Sequence, residues 1–285
     1  MFYVGAAAAL LASAMFNIGL ALQALEARKA PRSLDLRLSL LWRLLRRRRW
    51  LLGQGLGTVG IGPQVYALSL APFVVVQPLL AVGLLLLLAI GTQVFDEPVG
   101  ALGYAGVVAI IAGVALVAAG APDHREAHRG SIAVLAVAAF LAIGSLVPFV
   151  LKRTRWDSTM ILMLAAGFGF AGTNVATKLL SDDLSLGHPW PAVLWAVFGL
   201  GLGVAATVTG MTAFQRRRAT IVVPFTTAVQ TYLPLLLEPL FLKERWGSAD
   251  YGGAPIVVGI LIALLGTVLI TRTDAVADLA AGASG

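Results

Sequence analysis

"DEPVGALGYAG" (residues 96–106) is echoed by "KERWGSADYGG" (243–253), with glutamate, glycine, tyrosine and glycine recurring at a constant offset of 147. The match extends upstream, where "FVVVQPLLAV" (73–82) answers "TIVVPFTTAV" (220–229) at the same offset. "GQGLG" (53–57) answers "GLGLG" (199–203) within one residue, and "FNIGLAL" (16–22) answers "TNVATKL" (173–179) more weakly. The meaning of such a duplication depends on the solvent in which the chain folds.

Composition names that solvent. Hydrophobic residues make up 59% of the chain and charged residues 12%, with a mean hydropathy of +0.88, whereas an average soluble domain is about 25% charged. A bilayer core about 30 Å thick needs roughly 20 apolar residues per helix, so the chain has room for about eight to ten crossings and for no soluble domain. Cutting at charged and turn-rich breaks gives nine apolar spans, at 3–25, 51–70, 72–92, 99–120, 131–150, 159–180, 190–214, 219–242 and 252–271. The runs are continuously apolar, unlike the alternating strands of a lipid-facing barrel, so the expected fold is all-α and polytopic. The opening "MFYVGAAAALLASAMFNIGLAL" lacks a basic region ahead of its apolar run and reads as a retained first helix. The chain has no cysteine, hence no disulfide, thiolate metal site or cysteine nucleophile.

Basic residues are retained on the cytoplasmic side of a membrane, and this sets orientation. Residues 26–50 hold nine of them; with nine spans, that side collects sixteen of the 21 lysines and arginines and the opposite side four. The N-terminus is then outside and the C-terminus inside, in the cell (inner) membrane. The two echoing loops fall on opposite faces, five crossings apart, and an odd number of crossings turns the unit over. The expected organisation is a 4+1+4 inverted repeat. Residues 1–120 form the first four-helix repeat, with a basic amphipathic loop at 26–50. Residues 121–158 hold a linking fifth helix, 159–272 the second repeat and 273–285 a flexible tail. Two like halves of opposite sense are the architecture of secondary transporters, whose site lies near the midplane between them.

The nine-span plan carries three motifs in order: "YALSLAPFVVVQPL" (66–79), "HPWPAVLWAVF" (188–198) and "IVVPFTTAV" (221–229) followed by "FLKERW" (241–246). In these the chain resembles the drug/metabolite transporter (DMT, EamA-like) superfamily, closest to its NIPA-like branch. The resemblance covers nearly the whole chain and implies transport, with magnesium as the cargo of that branch. Ile61 departs from it, standing where the NIPA-like pattern has a glutamate in the second helix.

Candidate site residues follow from polarity inside apolar spans. Thr227, Gln230, Thr231, Pro234 and Glu238 recur at three- and four-residue steps and share one face of the eighth span. Asn174, Thr177 and Lys178 do the same in the sixth, and Asn17 holds the matching place in the first. Gln64 in the second span and Gln77 in the third add further amides. Glu238 and Lys178 are the ionisable residues well inside spans, where such groups mark function by default; a snorkelling Lys178 is the structural alternative. Pro78 and Pro224 lie in corresponding repeated stretches, as paired helix breaks at a transport site do. The expected cavity lies between the first, third, sixth and eighth spans.

Other motifs carry less. "GLGTVG" (55–60) lies in a membrane helix without the strand that gives a dinucleotide fingerprint its meaning, and Gly53, Gly57, Gly199 and Gly203 read as close-packing faces. "HREAH" (124–128) has the wrong order for a zinc helix. Leu34, Leu38, Leu41 and Leu45 line one face of an expected amphipathic helix that ends in Arg46, Arg47, Arg48 and Arg49, a partner for anionic lipid headgroups rather than for nucleic acid. The expectation is a non-enzymatic transporter, without cofactor, that moves a small polar solute, metabolite or ion by alternating access. Magnesium transport and a non-transporting scaffold or partner subunit are the alternatives, and a homodimer is left open.

Overall fold

A computed structural model describes residues 2–70, 73–94, 99–120, 131–152, 154, 158–241 and 253–282. Among them the chain forms eleven α-helices, one 3-10 turn at Arg32–Leu34 and no strand. The helices are α1 (Phe2–Arg28), α2 (Leu38–Leu44), α3 (Arg48–Val59), α4 (Ile61–Leu70), α5 (Phe73–Val94) and α6 (Ala101–Gly120), then α7 (Ser131–Leu151), α8 (Thr159–Ser185), α9 (Pro189–Arg216), α10 (Ala219–Phe241) and α11 (Ala254–Gly282).

Five described stretches are long and apolar enough to cross a membrane: Tyr3–Arg28, Ala101–Gly120, Ile132–Leu151, Thr159–Leu180 and Pro189–Arg216. Leu79–Val94 and Ala254–Ile270 are shorter apolar stretches. The outer surfaces of these helices are greasy. Ile132, Leu135, Ile143 and Val150 on α7 are exposed, as are Leu194, Val197 and Leu200 on α9 and Leu261, Leu264 and Leu265 on α11. An apolar surface this extensive is out of place in water and suits hydrocarbon.

The second span is not one helix. It breaks at Gly60, between α3 and α4, because Pro63 has no N–H to donate to the Val59 carbonyl one turn earlier. The expected breaks at Pro78 and Pro224 are absent from the helix paths, since α5 and α10 run unbroken through both positions. Nor is the stretch after 272 a tail throughout. Helix α11 continues to Gly282, over alanine- and leucine-rich sequence with no breaker.

Glycine sets the helix spacing, because helices without a solvent-driven force between them associate by close van der Waals contact. Helices α6 and α11 cross antiparallel along a seam in which Gly106 meets Gly266 and Gly113 meets Gly259. A Cβ on Gly113 would lie 2.5 Å from the Gly259 carbonyl oxygen, and one on Gly259 2.7 Å from that of Gly113. Helices α1 and α3 repeat the device at Gly19 and Gly53, where either Cβ would come within 2.6 Å of the other residue's carbonyl oxygen. Between α8 and α9, Gly199 faces Ala176 and Gly203 faces Thr173. Gly57, expected in the same role as Gly53, has open space instead.

The largest buried cluster joins the end of α1, the α2 segment and α5 to α6, α9, α10 and α11. A second one fastens α7 to α8 through Val134, Val137, Leu141, Ala171, Val175 and Leu179.

Candidate functional site

A cavity of about 360 Å³ lies within the bundle. Helix α1 contributes Phe16, Asn17, Leu20 and Gln23; α5 contributes Leu80, Ala81 and Leu84; α10 contributes Thr227, Gln230 and Thr231. Gly57 of α3 and Val114 of α6 complete the described wall. Gly57 has open space because this is where the cavity begins.

Asn17 is the most constrained of the polar groups. It is 5% exposed, and its Nδ2 donates to the Ser13 carbonyl at 2.9 Å. The Ser13 hydroxyl donates in turn to the Leu80 carbonyl of α5 at 2.5 Å. This polar patch is accommodated because α5 carries Gly83 opposite, where a Cβ would lie 2.2 Å from both Asn17 Nδ2 and Ser13 Oγ. Asn17 Oδ1 is buried without a hydrogen-bond partner. Gln23, also buried, has its Nε2 3.5 Å from Gln54 Oε1, a long contact. On the facing wall, Thr227, Gln230 and Thr231 are half-buried.

The structure therefore gathers four of the sequence-derived residues at one cavity, Asn17, Thr227, Gln230 and Thr231. Gln64, half-buried on α4, does not line it, and neither do Asn174 and Lys178. The sixth span does not reach this cavity: α8 turns Thr173 and Ala176 to the glycine face of α9, with Thr173 Oγ1 donating to the Gly199 carbonyl at 3.3 Å, and leaves Asn174 and Thr177 exposed. The helices that build the wall are α1, α3, α5, α6 and α10. The side chains of Gln77, Pro78 and Glu238 lie outside the described residues, as do the loop residues 95–98 and 242–252 and the "HREAH" stretch. Gln23 was missed, although it is the second amide in an otherwise apolar span.

A second constellation closes one end of the bundle, where the segment between α1 and α3 is strapped to the C-terminal turns of α9. Arg216 donates from Nε and Nη2 to Asp35 Oδ2 at 3.0 and 2.9 Å. Gln215 Nε2 donates to the Ala30 carbonyl at 3.0 Å, and the Leu36 N–H to Thr212 Oγ1 at 3.1 Å. Lys152, just beyond α7, donates from Nζ to the Asp35 carbonyl. Trp50 Nε1 reaches Met211 Sδ at 3.4 Å. Leu36 holds a left-handed backbone with φ 52°, a conformation that costs a non-glycine residue free energy and is kept where surrounding contacts impose it. The closure is only partly satisfied, for Asp35 Oδ1 and Gln215 Oε1 are buried without partners.

The same reversal at Leu36 re-phases the basic segment. Leu34 belongs to the 3-10 turn, and α2 is too short to present Leu34, Leu38, Leu41 and Leu45 as one face. Leu40 and Leu44 point into the core; Leu38, Trp42 and Leu45 are exposed. The Arg46 guanidinium sits 5.6 Å above the Trp42 ring, and Arg46 to Arg49 are all exposed. No three histidine, aspartate or glutamate residues among the described ones are grouped to hold a metal. Comparison with protein-family models, with curated proteins and with solved structures finds no match to this chain.

Proposed function

We propose that the chain is a membrane transporter that moves a small polar solute by alternating access, in the manner the drug/metabolite transporter resemblance implies. The observation that carries the reading is the cavity itself: amides and hydroxyls from α1 and α10 converge on a space of about 360 Å³ in an apolar bundle.

In this reading the nine spans form a 4+1+4 inverted repeat: α1, α3 with α4, α5 and α6; then α7; then α8, α9, α10 and α11. Supporting it, α1 packs on α3, α4 and α5, and α5 on α6, while α8 packs on α9 and α10, and α10 on α11. The Gly19–Gly53 crossing has its counterpart at Ala176 and Gly199, the positions that the sequence echo pairs with them. Helices α6 and α11 meet antiparallel, as elements exchanged by a twofold axis in the membrane plane do. With the N-terminus outside, the strap over Asp35 and Arg216 is the cytoplasmic closure, and its weakening opens the cavity inward.

Flux into proteoliposomes tests the reading. Asn17→Leu and Gln230→Ala are expected to lower solute flux at least tenfold while the purified proteins keep the elution profile of the parent. A chain that carries no solute under any gradient, and acts only beside another subunit, is a scaffold.

A further inference from the structure

We infer that the outward face of α2 and the arginine run that follows it form an interfacial site for the headgroups of anionic phospholipid, beside the entry of α3 into the membrane. The inference needs the chain to sit in a bilayer and does not rest on the transport reading.

The first reason is a short helix with two apolar faces. Leu40 and Leu44 of α2 are buried against the bundle. Leu38, Trp42 and Leu45 recur at the spacing of one helical face, on the other side, and are exposed, Leu38 at 68% and Trp42 at 63%. In water that second face is unfavourable; at the boundary between headgroups and acyl chains it is the face an interfacial helix buries, with an indole at the depth tryptophan prefers. The second reason is charge. Arg43 and Arg46 to Arg49 are exposed, and the Arg46 guanidinium, 5.6 Å from the Trp42 ring, joins the cations to the apolar face in one patch. The two carboxylates of segment 26–50 are spent elsewhere: Glu26 accepts from Lys29 at 2.9 Å and Asp35 from Arg216 at 2.9 Å, both buried. Guanidinium groups match phosphate oxygens in charge and fork geometry. The third reason is depth. Arg48 and Arg49 open α3, and Leu51 and Leu52 follow on its exposed surface. The outer surface thus passes from guanidinium to aliphatic side chain within about 5 Å of helix rise, the same step a leaflet makes from phosphate to acyl chain. A soluble phosphate would use the arginines and leave Leu38 and Trp42 in water, so the occupant that fits the whole patch is a lipid in its leaflet.

The test uses the purified full-length chain in an uncharged detergent, with tritiated phosphatidylglycerol and phosphatidylcholine of matched acyl chains. Phosphatidylglycerol is expected to bind at least fivefold more tightly, and the preference to shrink as salt is raised. Replacing Arg46, Arg47, Arg48 and Arg49 together by glutamine should abolish the preference, and replacing the same four by lysine should keep most of it. Leu38→Ala with Trp42→Ala should weaken both lipids at least threefold and leave the preference intact. A fluorophore on Leu38→Cys, in this cysteine-free chain, reads the seat in liposomes without removing any charge: nitroxide lipid should quench it and aqueous iodide should not. The inference is overturned if the two lipids bind equally, if the glutamine variant keeps the preference, if the alanine pair binds as the parent does, or if iodide reaches the label. It is overturned equally if glycerol 1-phosphate or a single-stranded oligonucleotide displaces tritiated phosphatidylglycerol as effectively as the unlabelled lipid, the first result marking a soluble phosphate site and the second a nucleic-acid surface.

Discussion

Arg216 meets Asp35 across 181 residues of chain, and the pair is largely buried on both sides. Removing one partner of such a pair strands the other charge, at a cost of roughly 3–5 kcal/mol, while replacing both with apolar groups is often tolerated. Asp35→Ala is therefore expected to lower the unfolding midpoint clearly, and Asp35→Ala with Arg216→Met to recover most of the loss. A double-mutant cycle by thermal unfolding measures the coupling; four midpoints that simply add would show that the pair contributes nothing of its own. Residues of the cavity differed in how far they could be read in advance. Thr227, Gln230 and Thr231 announced themselves by a helical stripe, and Asn17 by the echo with Asn174. That same echo misled at Asn174, because polarity at helical spacing does not say which side of a helix meets its neighbour. Asp35 and Arg216 were unreadable as a pair, since each stood in a basic or boundary segment where charge is explained by orientation alone.

At the level of the helix, close approach is what the sequence encodes most directly, and α6 against α11 is its clearest case. Gly113→Leu would drive a side chain onto the Gly259 carbonyl and the Ala263 methyl. Overpacking of this kind costs about 1–3 kcal/mol, occasionally more, so a lowered unfolding midpoint is expected. Gly55→Ala is the control, because nothing stands within 4 Å of its Cβ; there alanine should be neutral or gain up to about 1 kcal/mol from helix propensity. A third variant addresses the break at Gly60. Pro63→Ala restores a donor for the Val59 carbonyl and should join α3 to α4, seen as slower amide exchange over residues 59–64 without loss of the fold. The apolar lengths of α1, α6, α7, α8 and α9 were legible because bilayer thickness fixes them. The interruption was not, because "GIGP" scarcely lowers hydropathy even though its proline removes a hydrogen bond. The α2 register was hidden for another reason: a helical wheel assumes one continuous helix, and the left-handed Leu36 ends that assumption two residues before α2 begins.

For the molecule as a whole, an exposed apolar surface surrounds a largely apolar core that holds a few buried amides. The proposed inverted repeat makes a direct demand on topology. In this cysteine-free chain, Gly100→Cys and Gly247→Cys should react with an impermeant maleimide from opposite sides of the membrane; labelling of both from one side would dismantle the repeat. The all-helical, apolar character of the chain was open to reading from composition, whereas the strap of Asp35 and Arg216 was not, because it lies outside the echoing stretches. Under the proposed transport that strap has a kinetic consequence. Residues 29–47 join α1 to α3, whereas residues 186–188 alone join α8 to α9, so the α8–α9 connection offers no counterpart to the clasp. A carrier assembled from two interchangeable halves would rest equally facing either compartment. If the chain transports as proposed, the clasp lifts that degeneracy and skews the resting population toward one orientation, and half-saturation measured from the two compartments should be unequal, a rectifier built from unlike hinges.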